Sequence, residues 1–466
     1  MPMERRDNRN LDLNTGTCDT PCGETHKQIW DKSGQLDMFP SRWLRIGFAA
    51  QKKETVFNNL HHHINVETLR EAFNALDGSK ALGCDGISKK DYEKNLEANL
   101  ENLATRIYKG SYKPQPKREV LIPKANGKMR PIAISCFEDK LVDWVIAKIL
   151  STVYEPLFIR NSFGFRPFCS TDHAINATYQ SLKGNRRPFV VEIDFANFFN
   201  TILHRQLMKI LGKRISDDRL KGLIGRFLQN SILDHSKMQT IPDVGTPQGS
   251  AMSPVLANIY LHDVLDSWFL QNWASYTNII VRYADDAVFF FQKEETAQLF
   301  ISKLRERIPS FGLSLNEEKT KVVHFGKNES QEFDFLGFTF YWGRNWKSSR
   351  RILKLKTQKK TLHRSIQAFT SWIKSIRNKC KTKDIWNSAK SKLAGHYAYF
   401  GYALNLAKLS YFYVQTRNAL FKWLNRRSQK RSFFWRSFCR KLAFNPLPKP
   451  PAISKLKHFS GGLYAR

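Results

Sequence analysis

Asp285 and Asp286 are adjacent carboxylates in Tyr283-Ala284-Asp285-Asp286, set between the apolar, β-rich runs 279–282 and 287–291. Two ionised groups side by side in an apolar setting repel each other and lose hydration. A divalent cation removes both costs. Asp194 ends another apolar run, 189–194, and can supply a third carboxylate from a distant stretch of chain. Mg²⁺ is hard, prefers oxygen ligands and keeps waters that phosphate can replace. Two such ions about 3.5–4 Å apart activate a hydroxyl nucleophile and stabilise a leaving pyrophosphate. The expected chemistry is nucleotidyl transfer. Asp194, Asp285 and Asp286 are the expected catalytic and metal-binding residues, with two Mg²⁺ ions and Mn²⁺ as the alternative. An isolated Asp-Asp turn is ordinarily a solvated surface feature. The apolar flanks and the separate strand ending on Asp194 set this one apart.

The elements that must position these groups follow from periodicity. Residues 66–76 and 92–107 read as amphipathic helices, with a turn at Gly83-Cys84-Asp85-Gly86. Residues 120–123 and 130–134 read as strands joined by the Asn126-Gly127 hairpin turn. A helix is expected over 139–153. Ser253-Pro254 starts another, with Ser as N-cap and Pro at the first helical position, running to about residue 269. The runs around Tyr283-Ala284-Asp285-Asp286 form a hairpin, and 333–341 is a strand or strand pair. After Arg351 the pattern is helical, interrupted at Gly395, at Gly401 and by the proline-rich stretch 446–451. There is no internal repeat.

At 466 residues and 42% hydrophobic content, the chain can hold several domains and a sizeable core. Its formal charge is +34. Residues 344–466 hold 30 Lys and Arg against one acid, Asp384, so nearly all of that excess lies there. Aromatic residues and Leu recur through this segment at helical spacing, which argues for a folded basic domain rather than a charged tail. The bias exceeds what solubility needs and favours a polyanion, nucleic acid above all. An anionic membrane is the competing partner, but no apolar run is long enough to span a bilayer. The polar start lacks the apolar core of a signal peptide. The seven cysteines are odd in number and scattered, which fits a reducing compartment. The expectation is no membrane and a cytoplasmic place, with association to the nucleoid as a variant. Cys18, Cys22 and His26 lack a clear fourth ligand for zinc. They read as part of an N-terminal arm.

Eight blocks occur in order. They are Gly83-Cys84-Asp85-Gly86-Ile87-Ser88, Ile122-Pro123-Lys124-Ala125-Asn126-Gly127-Lys128-Met129-Arg130-Pro131, Ser162-Phe163-Gly164-Phe165-Arg166-Pro167, Asp194-Phe195-Ala196-Asn197-Phe198-Phe199, Gly245-Thr246-Pro247-Gln248-Gly249-Ser250, Ser253-Pro254, Tyr283-Ala284-Asp285-Asp286 and Phe335-Leu336-Gly337-Phe338. On these blocks the chain resembles group II intron reverse transcriptase/maturases from about residue 60 to about residue 445.

The resemblance implies an α+β right-hand polymerase, with fingers and an antiparallel palm sheet followed by an α-helical thumb/maturase domain. The corresponding division is 1–60 N-terminal extension, 61–345 fingers and palm, 346–445 basic helical domain and 446–466 tail. It implies that Lys124, Arg130, Phe199 and Gln248 bind the incoming nucleotide. Lys124 and Arg130 would hold the triphosphate, which an ammonium and a planar guanidinium suit. Phe199 would sit under the sugar and reject a 2′-hydroxyl, although core packing beside Phe195 and Phe198 is its plain alternative. Arg166, Leu336, Gly337 and Phe338 would meet primer or template.

The implied partners are an RNA template, a DNA primer, dNTPs and a group II intron RNA, with oligomeric state open. Ser250 stands where a second Gly is usual, and Phe168-Cys169 replace a Gly and a basic residue. The paired-Cys, His-Asn-His type endonuclease of many relatives has no counterpart after the palm. Two other readings remain at this point: a splicing factor with an unused polymerase site, and a domesticated reverse transcriptase in host defence or DNA repair.

Overall fold

Several strands of this chain carry large apolar residues on both faces, so their sheets need cover on both sides. The computed structural model describes residues 41–123, 129–233, 239–240, 243–247, 249–274, 278–345, 348–427 and 434–459. Cys18, Cys22, His26, Lys124 and Gln248 lie outside the described residues. In chain order the strands are β1 (Lys117–Pro123), β2 (Met129–Ile134), β3 (Phe189–Ile193), β4 (Ile232–Leu233), β5 (Gln239–Thr240), β6 (Ile279–Tyr283), β7 (Asp286–Phe291), β8 (Lys321–His324), β9 (Phe333–Phe335), β10 (Phe338–Asn345) and β11 (Ser348–Thr357). They form three sheets, ordered β2-β1-β4-β5, β6-β7-β3-β8 and β11-β10-β9. The fold is mixed α+β, and the second and third sheets are wholly antiparallel.

The second sheet separates two cores. Val191, Ile193, Phe289 and Phe291 enter one core from one face. Val190, Val281, Val288, Phe290 and Val323 enter the other from the opposite face. This is the period-two alternation of a strand buried on both sides. The first core is built on the helix Phe137–Tyr154, which packs against the helices Met252–Leu261, Arg42–Ala50 and Val66–Ala75. Because it meets helices on several sides, it is buried nearly all round, Asp139 and Asp143 included. The second core is closed by the helices Lys359–Ile376, Thr382–Phe400 and Leu406–Leu424 together with the β9–β11 meander.

The structure revises several expected elements. The helix expected over 92–107 is two, Lys89–Glu93 and Leu96–Tyr108. Non-helical Asn95 breaks it, and Asn99 Nδ2 donates to Tyr92 O across the break at 2.9 Å. Residues 351–357 are not helical but belong to β11. Leu353 and Leu355 point inward between outward lysines, a strand pattern, and β11 pairs with β10 along its length. The division at 345/346 therefore cuts a hairpin, and the helices begin at Lys359. Gly395 does not interrupt its helix, because its face is open. Gly401 does end it: a side chain there would meet Tyr397 O at 2.2 Å.

Ser253 is not the N-cap. The helix starts at Met252, and Ser253 Oγ donates to Pro247 O at 2.8 Å. Buried Asp143, from the 137–154 helix, takes over the capping role. It accepts from Ala251 N at 2.7 Å, Met252 N at 3.2 Å and Ser250 Oγ at 2.8 Å. A carboxylate at a helix N-terminus meets both orphan donors and positive dipole. The helix then passes through a π turn, His262–Asp266, before continuing over Ser267–Asn272.

Candidate active site

β3 and β7 run antiparallel, with Glu192 opposite Val288 and Ile193 opposite Ala287. One further step along that register sets Asp194 opposite Asp286. β6 and β7 close a tight hairpin in which Tyr283 pairs with Asp286 and Ala284-Asp285 form the turn. Three acids from two sequence regions therefore gather at one end of the central sheet. Ala284 adopts φ +55°, a left-handed conformation costly for a residue with a Cβ. Gly164 holds that turn from outside. A Cβ on Gly164 would lie 2.2 Å from Ala284 N, so only glycine permits this approach. The Asn161–Gly164 segment is stitched alongside β6, with Phe163 N donating to Arg282 O at 2.9 Å and Arg282 N donating to Asn161 O at 2.8 Å.

Asp285 and Asp286 both feel the acids beside them. The Asp285 carboxyl is raised above its usual range by desolvation and by Asp194, with Arg130 and Lys319 opposing. The Asp286 carboxyl is pushed up to about 7, first by desolvation and then by Asp285 and Asp194. Asp194 is held by its neighbours: Lys319 Nζ donates to Oδ2 at 2.7 Å and Asn316 Nδ2 donates to the same oxygen at 3.2 Å. Among the described residues no three His, Cys, Asp or Glu side chains are drawn together as a ready metal-ligand set. An ammonium holds the Asp194 carboxylate in this arrangement. The donor chemistry still fits divalent cations: hard oxygen ligands of which two, Asp285 and Asp286, are held raised by burial first and by neighbouring carboxylates second.

Arg130 lies on exposed β2, opposite Ile122, and acts electrostatically on Asp285, which brings the first sheet to the same place. Phe199 is half-buried, with its ring 5.4 Å from that of Phe198 and 6.4 Å from that of Phe165. Thr246 and Gly249 link Phe199 to β2. Thr246 N donates to Phe199 O at 2.7 Å, and Gly249 packs so closely on β2 that a Cβ would meet Ala133 O at 2.7 Å.

Two expected contacts are corrected. Arg166 is spent within its own loop, on Glu155 Oε1 at 2.7 and 3.0 Å, Ile159 O at 2.8 Å and Ser162 O at 2.5 Å, which leaves little of it for a template. Phe338 is fully buried against Phe400 and Tyr402 and anchors the hairpin rather than facing a primer. Leu336 and Gly337 form the turn itself, with φ +49° and +78°.

Comparison with known proteins agrees with this geometry. The family described as "Reverse transcriptase (RNA-dependent DNA polymerase)" matches residues 122–340. Protein YkfC of Escherichia coli K12 is 31% identical over 319 residues, covering 61% of this chain and 82% of that protein. The group II intron-encoded protein LtrA of Lactococcus lactis subsp. cremoris is 34% identical over 220 residues, 47% of this chain and 36% of LtrA. The chain belongs to the group II intron reverse transcriptase/maturase family. The putative COX1/OXI3 intron 1 protein of Saccharomyces cerevisiae is 25% identical over 401 residues, 75% of this chain and 45% of that protein. This reverse transcriptase thus spans less than half the length of either intron protein, while it covers most of YkfC.

Membership makes it an RNA-directed DNA polymerase of a family that uses divalent metal ions. The structure adds residues to its site that sequence reasoning missed. Lys319 and Asn316 hold Asp194 from a loop with no recognisable motif. Tyr399, from the 382–400 helix, donates to Leu336 O at 3.0 Å, and its hydroxyl is pushed up to about 12 by burial, Tyr283, Asp172 and Asp286. Arg282 precedes the acidic turn and is fully buried. An arginine in an otherwise apolar strand was the one sequence signal available for it.

Proposed function

We propose that this reverse transcriptase extends a DNA primer on an RNA template with dNTPs, using two Mg²⁺ ions held by Asp194, Asp285 and Asp286. The observation that carries this reading is the strand register that gathers those acids at the end of β3 and the β6–β7 turn, with Arg130 acting on Asp285. When bound, the ions supply charge for a hydroxyl nucleophile and a leaving pyrophosphate.

The protein's own groups do the rest. Arg130, with Lys124, binds the triphosphate and neutralises its charge. Phe199 floors the sugar and disfavours a 2′-hydroxyl, beside the loop of Gln248. The Leu336-Gly337 turn, held by Tyr399, positions the primer end. In this reading β1 and β2 belong to the fingers, the β6-β7-β3-β8 sheet to the palm, and the three helices from Lys359 to the thumb. The basic C-terminal region binds the parent intron RNA and assists its splicing, since neutralising several phosphates releases counterions and needs no sequence readout.

Primer extension with Mg²⁺ and dNTPs on an RNA template tests it. The wild type should extend and Asp194→Asn should not. Absence of product across primers and templates would favour the splicing factor with an unused site.

A further inference from the structure

The helices Lys359–Ile376 and Leu406–Leu424 end together, and there four cations surround one indole. Arg377 and Lys374 lie 4.8 and 5.8 Å from the centroid of the Trp423 ring, and Arg426 and Lys422 lie 5.3 and 5.6 Å from it. Helix C-termini carry partial negative charge and favour cations, which accounts for part of this crowding. It does not account for two donors. Trp423 Nε1 and Arg377 Nη1 are both shielded from solvent, and neither has a hydrogen-bond partner among the described residues. An unmet buried donor costs about 1–3 kcal/mol. The segment from residue 344 to the end holds a single acid, Asp384, and it is not a partner of either donor.

We propose that the Trp423 cluster is a binding site for a backbone phosphate of RNA, oriented by Trp423 Nε1 and Arg377 Nη1 and attracted by the excess positive charge of Lys374, Lys422 and Arg426. The two non-bridging oxygens of a phosphodiester project from a tetrahedral phosphorus with ester oxygens beside them, which suits donors arriving from two helices. The site is not the substrate's. The 359–376 helix starts beside Gly337, whose carbonyl accepts from Gln358 N at 3.0 Å. A helix of 18 residues is about 27 Å long, so the cluster lies far from the acidic turn. Only a long polyanion reaches both. This deepens the reading that the basic C-terminal region binds RNA and rests on it.

The test uses the full chain and a 5′-fluorescein-labelled RNA hairpin, with anisotropy followed against KCl concentration. Lys374→Gln/Arg377→Gln should flatten the log–log salt slope by up to about 1. Trp423→Phe keeps an aromatic face and loses the N–H. It should weaken binding about five-fold at fixed salt with the slope unchanged. Inorganic phosphate at constant ionic strength should raise the melting temperature of the wild type more than that of Trp423→Phe.

A wild type with a flat salt response overturns the RNA-binding reading of the whole region. A steep wild type, with both variants indistinguishable from it, overturns this site alone. Stabilisation by phosphate without any change in RNA binding makes it a free-phosphate site and overturns the RNA assignment. Circular dichroism checks folding, and if the double variant does not fold, Trp423→Phe decides.

Discussion

Arg282 and Asp266 form a two-pronged ion pair with no solvent exposure on either side chain, at 2.8 Å from Nε to Oδ1 and 2.6 Å from Nη2 to Oδ2. The remaining guanidinium nitrogen, Nη1, donates to Ala284 O at 2.9 Å and Asn258 Oδ1 at 3.0 Å. Asn258 Nδ2 in turn donates to Gly164 O at 2.6 Å. Asp266 closes the π turn, so the helix irregularity delivers the carboxylate that braces the arginine behind the acidic turn. π turns often occur at functional sites. One buried network thereby ties the strained Ala284 backbone to the helix beneath the sheet.

Breaking that network by removing one partner leaves a buried charge unpaired. Arg282→Met should cost about 3–5 kcal/mol in urea unfolding, and Arg282→Met/Asp266→Leu should recover part of it. A single variant within 1 kcal/mol of wild type would mean the pair adds nothing beyond geometry.

Asp285→Asn should abolish primer extension while RNA affinity in an anisotropy titration stays within about two-fold, because the proposed function assigns the acids to the chemistry and RNA binding to the basic region. Equal loss of both would assign the carboxylate a structural role.

Gly164→Ala places a methyl against Ala284 N and must displace the acidic turn. A shift of about 1 Å at a reacting centre costs on the order of 100-fold in rate. Single-turnover extension should show that loss with RNA affinity kept. Normal turnover would mean the turn tolerates displacement.

Phe199→Val should narrow the preference for dNTPs, read as the ratio of kcat/KM for a dNTP and its rNTP. An unchanged ratio would return Phe199 to plain packing between Phe165 and Phe198.

His396 is buried and stacked on Phe412, with ring centroids 3.6 Å apart, and burial lowers its pKa to about 4. The unfolded chain binds a proton near pH 6.5 that the folded chain refuses. Between about pH 6.5 and about pH 4 the unfolded state therefore holds more protons, and stability from this group falls as pH falls, by up to about 1.4 kcal/mol per unit. His396→Phe should remove that part of the slope in urea melts at pH 7 and pH 5. Parallel slopes for both proteins would show that His396 titrates normally in the folded chain.

The sequence by itself determined the chemistry and the local elements that carry it. The acids stood out because adjacent carboxylates between apolar strands conflict with burial. The hairpins stood out because Asn-Gly and the alternation of apolar residues are local signals. The tertiary structure alone decided what surrounds the acids. Lys319 and Asn316 reach Asp194 from more than a hundred residues away, and Asp143 caps a helix just as distant in sequence. Burial also reassigned Arg166 and Phe338, which look free to contact ligand until their neighbours are known. Periodicity records which way one element faces, and it carries no record of which distant side chain will come to meet it. Residues 351–357 show the limit even locally: their strand pattern is short, and only pairing with β10 separates it from the helices that follow.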